Sequence, residues 1–163
     1  MKRILLLLML LLNLVGINCK PLTRAAIKAS QSAFLAQFSL QKTVANVNTP
    51  GLDCSKFGEG GRMGGSAGGV GSDSISHNQS YTIFCEIERS GELQEGVLIQ
   101  SLKSEIDRQI QSTGGQIQGS TTSGNRGFQI EYVEGKIHGK VEMSGQKKES
   151  YYIVTTNVEE SNK

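Results

Sequence analysis

The chain has 163 residues, of which 17 are Lys or Arg and 15 are Asp or Glu, so its formal net charge is +2. Without Lys2 and Arg3, which lie in a predicted leader, 15 basic residues face 15 acidic ones. Binding to nucleic acid requires a clustered basic surface, so the balanced charge excludes nucleic acid as the expected partner. The length suits one domain with a single core.

Residues 1–18 have the layout of a secretory signal peptide, with two basic residues before about a dozen apolar ones. A transmembrane helix would need roughly twenty apolar residues. The apolar run ends at Asn18 and Cys19. This junction resembles the relaxed lipoprotein box of spirochaetes, which implies a lipid on the Cys19 thiol and an anchor in the bacterial cell envelope. The alternative is ordinary cleavage near Cys19, which would give a periplasmic or secreted soluble protein.

Residues 19–57 are expected to hold one helix and a loop. Thr23 is a candidate N-cap, and no proline follows until Pro50. Phe34 and Phe38 lie four residues apart on an apolar stripe, which predicts a helix of about twenty to twenty-five residues. We expect this helix to dock on the otherwise uncovered side of a sheet. In a second interpretation it binds a partner or a second copy of the chain.

Residues 58–79 are rich in Gly and Ser, with eight glycines between positions 58 and 71. Ordered glycine loses more backbone entropy than any other residue, so we predict a flexible loop here. A phosphate-binding loop would follow a strand and open a helix, and this stretch does neither. No nucleotide or other cofactor is therefore expected.

Residues 80–160 are predicted to form an α+β domain. Apolar residues at spacings of three or four between 92 and 113 indicate an amphipathic helix. Alternating segments predict strands at 81–88, 116–120, 128–132, 137–143 and 151–158. Short turns favour an antiparallel meander after the helix. Phe84 points to the second face of the sheet, and this is the face that we expect the first helix to cover.

The order of N-terminal helix, Gly-rich loop, strand, helix and antiparallel meander resembles the layout of the cystatin fold. Cystatin inhibitors carry a Gln-x-Val-x-Gly hairpin and a Pro-Trp hairpin. Residues 116–119, Gln-Ile-Gln-Gly, are only loosely like the first, and the chain has no Trp for the second. A secreted hydrolase inhibitor of this layout remains the alternative function. It should present a wedge formed by residues 120–126 and the hairpin at Gly135.

Three cysteines leave an odd one unless Cys19 is lipidated or removed. Either event leaves Cys54 and Cys85, and the oxidising compartment outside the cytoplasm favours a disulfide between them. The alternative is that Cys85, at an inward position of its strand, is a buried free thiol.

Candidate catalytic and metal-binding residues are few. His77 lies in the Ser-rich stretch and His138 at an outward strand position, whereas a zinc site needs three or four ligands brought together. Glu86 and Glu88 share a strand face, where we expect them to be solvated. We therefore predict no metal, no cofactor and no enzymatic activity. A hydrolase with a dispersed site is a third hypothesis, and it requires a closed pocket around His138 or Glu86.

The expected function is that of a small envelope protein that binds another macromolecule, such as a second envelope protein. If binding is the role, we expect an exposed apolar or aromatic patch larger than a few hundred Å². The candidate residues for this surface are Tyr151, Tyr152, Phe34 and Phe38.

Overall fold

The computed structural model describes residues 31–47, 51–54, 60–67, 75–88 and 93–162. In this part of the chain the fold is α+β, with short N-terminal helices, one main helix and an antiparallel sheet packed against that helix. The predicted fold class is confirmed. The leader, Cys19 and Thr23 lie outside the described residues.

The described residues form three helices and seven strands. The helices are α1 (Ala33–Gln37), α2 (Leu40–Asn46) and α3 (Glu95–Ser112). The strands are β1 (Leu52–Asp53), β2 (Gly60–Ala67), β3 (Ile75–Ile87), β4 (Gln116–Thr122), β5 (Gly127–Glu134), β6 (Ile137–Lys147) and β7 (Tyr151–Asn162). The strands pair antiparallel in the order β1-β3-β7-β6-β5-β4, and β2 also pairs with β3.

Helix α3 confirms the amphipathic segment predicted at 92–113. Its buried stripe consists of Leu98, Ile99, Leu102, Ile106 and Ile110. Gly114 follows the helix with φ of +89°, and the N–H of Gly115 donates to the carbonyl of Ile110 at 3.0 Å. A glycine in this left-handed conformation is a common way to end a helix. The stripe covers one face of the sheet, which we call the inner face.

The four strands after α3 also confirm the predicted meander. Along β7 the inward residues Tyr152, Val154 and Val158 are buried, and they alternate with more accessible outward residues. β7 lies in the middle of the sheet, between β3 and β6. The strand that precedes α3 therefore pairs with the strand furthest from it in sequence.

The prediction of one long N-terminal helix is wrong for the described residues, because the chain leaves helical conformation at Phe38 and Ser39. The Ser32 side chain accepts the N–H of Leu35 at 2.9 Å, and Ser39 accepts the N–H of Lys42 at 3.4 Å. Serine side chains that bond to nearby backbone groups favour helix starts over helix interiors. Each serine therefore begins a separate short helix.

The predicted position of this N-terminal segment is also wrong. The Phe34 ring lies 5.3 Å from the Tyr132 ring, and the Phe38 ring lies 5.1 Å from the Tyr81 ring, measured between centroids. Both tyrosines are at inward positions, so α1 and α2 cover the same face as α3. No helix among the described residues covers the opposite face, which we call the outer face.

The prediction of a flexible loop at 58–79 is wrong where the structure describes it. Gly60–Ala67 is β2, which pairs with β3 from Thr82 back to Ile75. Strand pairing uses backbone N–H and C=O groups, so glycines without side chains can still take part in it. Residues 58–59 and 68–74 of the predicted loop lie outside the described residues.

Cys54 and Cys85 form a disulfide with an S–S distance of 1.98 Å, as predicted. It joins the segment after β1 to the neighbouring strand β3, and Cys85 is fully buried. Stable disulfides form outside the reducing cytoplasm, so the bond indicates an extracytoplasmic protein. Within the described ranges, none of the helices has the length and apolar character needed to cross a membrane.

Candidate functional site

The outer face carries an exposed pair of aromatic side chains. Phe84 on β3 is 41% exposed and Tyr151 on β7 is 38% exposed, with ring centroids 6.1 Å apart. Phe84 lies opposite Ile153 and Tyr151 lies opposite Glu86, so two neighbouring strands place the rings together. We call Phe84, Tyr151 and Ile153 the aromatic patch. A recess of about 340 Å³ beside it is lined by Phe84, Glu86, Ser150 and Tyr151.

Only one of the four predicted surface residues belongs to this patch. Tyr152 is buried because successive strand residues point to opposite faces, and Tyr151 takes the outward position. Phe34 and Phe38 are buried because α1 packs on the inner face. The prediction that these three residues belong to an exposed surface is therefore wrong. Phe84 was missed as a surface residue because the first helix was expected to cover it.

A row of charged side chains crosses the outer face at the other end of the sheet. Glu131, Lys140 and Glu159 lie directly opposite one another on β5, β6 and β7. Lys140 Nζ is 2.5 Å from Glu142 Oε1, and Asn78 Nδ2 donates to Glu159 at 3.4 Å. The hydrogen bond with Glu142, and then the charges of the three glutamates, raise the pKa of Lys140. One lysine thus stands among three glutamates.

The outer face has an excess of negative charge in strands β3 to β7. Its outward strand positions carry Glu86, Glu131, Glu142 and Glu159 against the single Lys140. Glu86 lies beside the aromatic patch and the other three lie at the far end. The surface is therefore both aromatic and acidic.

A cavity of about 470 Å³ on the outer face is lined by both histidines and by the charged row of Glu131, Lys140 and Glu159, although the two histidines occupy opposite faces of the sheet. His77 is buried opposite Glu160, whereas His138 is exposed opposite Ser161. Across the described ranges, no three His, Cys, Asp or Glu side chains are grouped as a metal site requires. The cavity thus offers polar groups without a metal-binding set.

A buried carboxylate fixes the start of α1 on the inner face. Glu160 accepts hydrogen bonds from the backbone N–H of Ser32 at 3.1 Å, from the Ser32 hydroxyl, and from the Tyr132 hydroxyl at 2.5 Å. Burial, and then the charge of Glu160, raise the pKa of Tyr132. These bonds satisfy polar groups that would otherwise be costly to bury.

A second carboxylate supports the same segment. Glu134 accepts the N–H groups of Ala33 at 2.6 Å and Phe34 at 3.3 Å, and also the Thr113 hydroxyl at 3.3 Å. Unpaired N–H groups at the start of a helix favour such acceptors. Glu134 and Glu160 therefore have a structural role, since they join the N-terminal helices to the sheet.

The inhibitor wedge expected from the cystatin-like layout does not form. Residues 123–126 connect β4 to β5, whereas Gly135 lies in the turn between β5 and β6. β5 has eight residues, which places the two turns about 26 Å apart at its opposite ends. They cannot enter one cleft side by side.

Comparison with known protein families gives no match for this chain, and comparison with curated proteins gives none. The function is therefore inferred from the geometry of the outer face.

Proposed function

We propose that the protein is an exported binding module of the bacterial cell envelope that binds another macromolecule through its aromatic patch. The observation that supports this function most directly is the exposure of Phe84 and Tyr151, side by side, on a face that no described helix covers. Large contiguous apolar patches on a folded protein mark interaction sites, and aromatic residues are enriched at protein interfaces. No enzymatic activity is part of the proposal.

The proposed location combines two features. The Cys54–Cys85 disulfide favours a compartment outside the cytoplasm, and the leader with Cys19 favours a lipid anchor. An anchored module would present its binding face close to other envelope proteins. The soluble alternative would share the fold and lack only the anchor.

Intact mass spectrometry tests the anchor. The protein is produced in a bacterium with its own leader and weighed before and after reduction. We expect the mass of a diacylated or triacylated N-terminus at Cys19, which the Cys19→Ala variant should lose. An unmodified chain that begins near Cys19 would contradict the anchor and favour a soluble export product.

Photo-crosslinking tests the binding function. A photoreactive phenylalanine analogue replaces Phe84 or, separately, Tyr151 in the cells that naturally make the protein. We expect both positions to give discrete crosslinked species. The matched control is Ser120, which is exposed on β4 away from the aromatic patch, and it should give none. If neither aromatic position forms a crosslink, the binding function is wrong.

A further inference from the structure

The outer face is continuous from the aromatic patch to the charged row. Tyr151 and Glu159 are both at outward positions of β7, eight residues apart, and eight residues of strand span about 26 Å. The outward residues between them include Thr155 and Asn157, which are polar and uncharged. A partner that lies along β7 would contact the apolar end and the acidic end together.

The charge on this face limits which partner can lie there. Three glutamates surround Lys140, and Glu86 lies opposite Tyr151. Like charges brought together across an interface are costly. Anionic lipid headgroups and nucleic acid would both be repelled. Two copies of the chain that packed outer face to outer face would bring four glutamates but only one lysine from each copy into the interface.

We propose that the partner is another protein, which presents a basic segment in extended or helical conformation. This inference rests on the proposed function. An apolar side chain of this segment packs on Phe84 and Tyr151. Lys or Arg side chains lie opposite Glu131, Glu142 and Glu159. The aromatic patch supplies buried apolar area, while the glutamates select the sign of the partner's charge.

Two synthetic peptides of equal length provide the test. One contains Lys, Leu and a single Phe, and the other has Glu in place of every Lys. Binding is measured by fluorescence anisotropy, and the contact surface is mapped from amide shifts of the labelled protein. We expect only the basic peptide to bind, with shifts on β3, β5, β6 and β7. We also expect its affinity to fall between about 0.05 M and about 0.5 M salt, since added ions screen exposed charges.

Matched variants separate this interaction from general attraction to an acidic protein. The double variant Glu131→Gln/Glu159→Gln removes two charges from the outer face. The control Glu95→Gln/Asp107→Asn removes two charges from α3, on the other side of the sheet. We expect the first to weaken basic-peptide binding by roughly tenfold and the second by less than about twofold. Phe84→Ala should weaken it by roughly tenfold as well.

Several outcomes would overturn the basic-partner proposal. These are equal binding of the two peptides, no binding of the basic peptide, equal losses in the two double variants, or binding of anionic lipid vesicles at the outer face. The crosslinks at Phe84 and Tyr151 could still form in each of these cases, and the binding function would then stand with a different partner. Absence of those crosslinks would instead remove the binding function itself.

Discussion

The ring of Tyr132 lies directly over Gly139, its partner on the neighbouring strand. A methyl group added to Gly139 would overlap the ring, because the ring occupies the space above the glycine backbone. The ring cannot shift freely, since its hydroxyl bonds to Glu160 and the ring packs nearly perpendicular to that of Phe34. The absence of a side chain at Gly139 is therefore what allows Tyr132 to reach the carboxylate that fixes α1.

Substitution of Gly139 by Ala should lower the free energy of unfolding by about 1 to 3 kcal/mol, the usual cost of overpacking a core. Gly119→Ala is the matched control, because a methyl group there meets no atom within 4 Å. We expect the control to change stability by less than about 1 kcal/mol. Urea denaturation of both variants measures the difference. Equal stabilities would show that the Tyr132 ring can move aside for the methyl group with no loss of stability.

Removal of the Tyr132 hydroxyl should also destabilise the fold. Tyr132→Phe leaves Glu160 buried with one donor fewer, which we expect to cost about 1.5 to 3 kcal/mol. Tyr151→Phe, at an exposed position, is the control and should stay within about 0.5 kcal/mol of the original protein. Thermal or urea unfolding at neutral pH measures both. A Tyr132→Phe variant as stable as the control would mean that this hydrogen bond contributes nothing.

Loss of the Cys54–Cys85 bond should cost about 3 to 4 kcal/mol in the chain-entropy account of disulfides. The estimate follows from the sequence separation of 31 residues between the two cysteines. The double variant Cys54→Ala/Cys85→Ala is compared with the oxidised protein in urea, and reductant should shift only the latter. Intact mass should show a gain of two hydrogens on reduction, and no gain would contradict the bond.

Glu105 should make stability depend on acid pH. The hydrogen bond from Arg108, followed by bonds from Gln109 and Asn46, lowers the pKa of Glu105 from 4.5 to about 2. A lowered folded-state pKa contributes stability above about pH 4.5 that is lost as pH falls towards 2. Arg108 is exposed, so solvent screening limits the contribution to about 0.5 to 1 kcal/mol.

The variant Glu105→Gln tests this contribution. It should be less stable than the original protein at pH 7 and nearly equal to it near pH 2. Glu149→Gln, exposed in the turn between β6 and β7, is the control and should not reproduce this pattern. A difference that persists unchanged at pH 2 would assign the effect of the Glu105 substitution to packing.

The main helix and the strands after it were predictable because their apolar residues repeat at the period of one element. Ile99, Leu102 and Ile106 allow only a helix with one buried stripe. The position of the N-terminal segment could not be predicted in the same way. Phe34 and Phe38 form the same apolar stripe whichever face of the sheet they pack on. The hydrogen bonds that Glu134 and Glu160 accept from the N-terminal segment hold it on the inner face, and no local pattern indicates such distant contacts.

The binding surface was harder to predict because neighbouring residues have similar chemistry. Tyr151 and Tyr152 differ only in which face each occupies, and Ile153 and Val154 beside them make either register plausible. Pairing of β7 with β3 sets that register and places Tyr151 beside Phe84. The β2 strand was missed for a different reason, since its pairing depends on backbone groups that are the same in every residue.

The position of β7 between β3 and β6 has a consequence for biogenesis. β7 is the last of the described strands to be synthesised. The sheet is therefore incomplete until residues 151–162 have left the ribosome. Contacts between such distant segments slow folding, and β3 and β6 lack the strand that joins them until β7 has been synthesised. Late completion of the sheet therefore favours export before the fold is complete, and we expect folding to finish outside the cytoplasm, where the Cys54–Cys85 disulfide is stable.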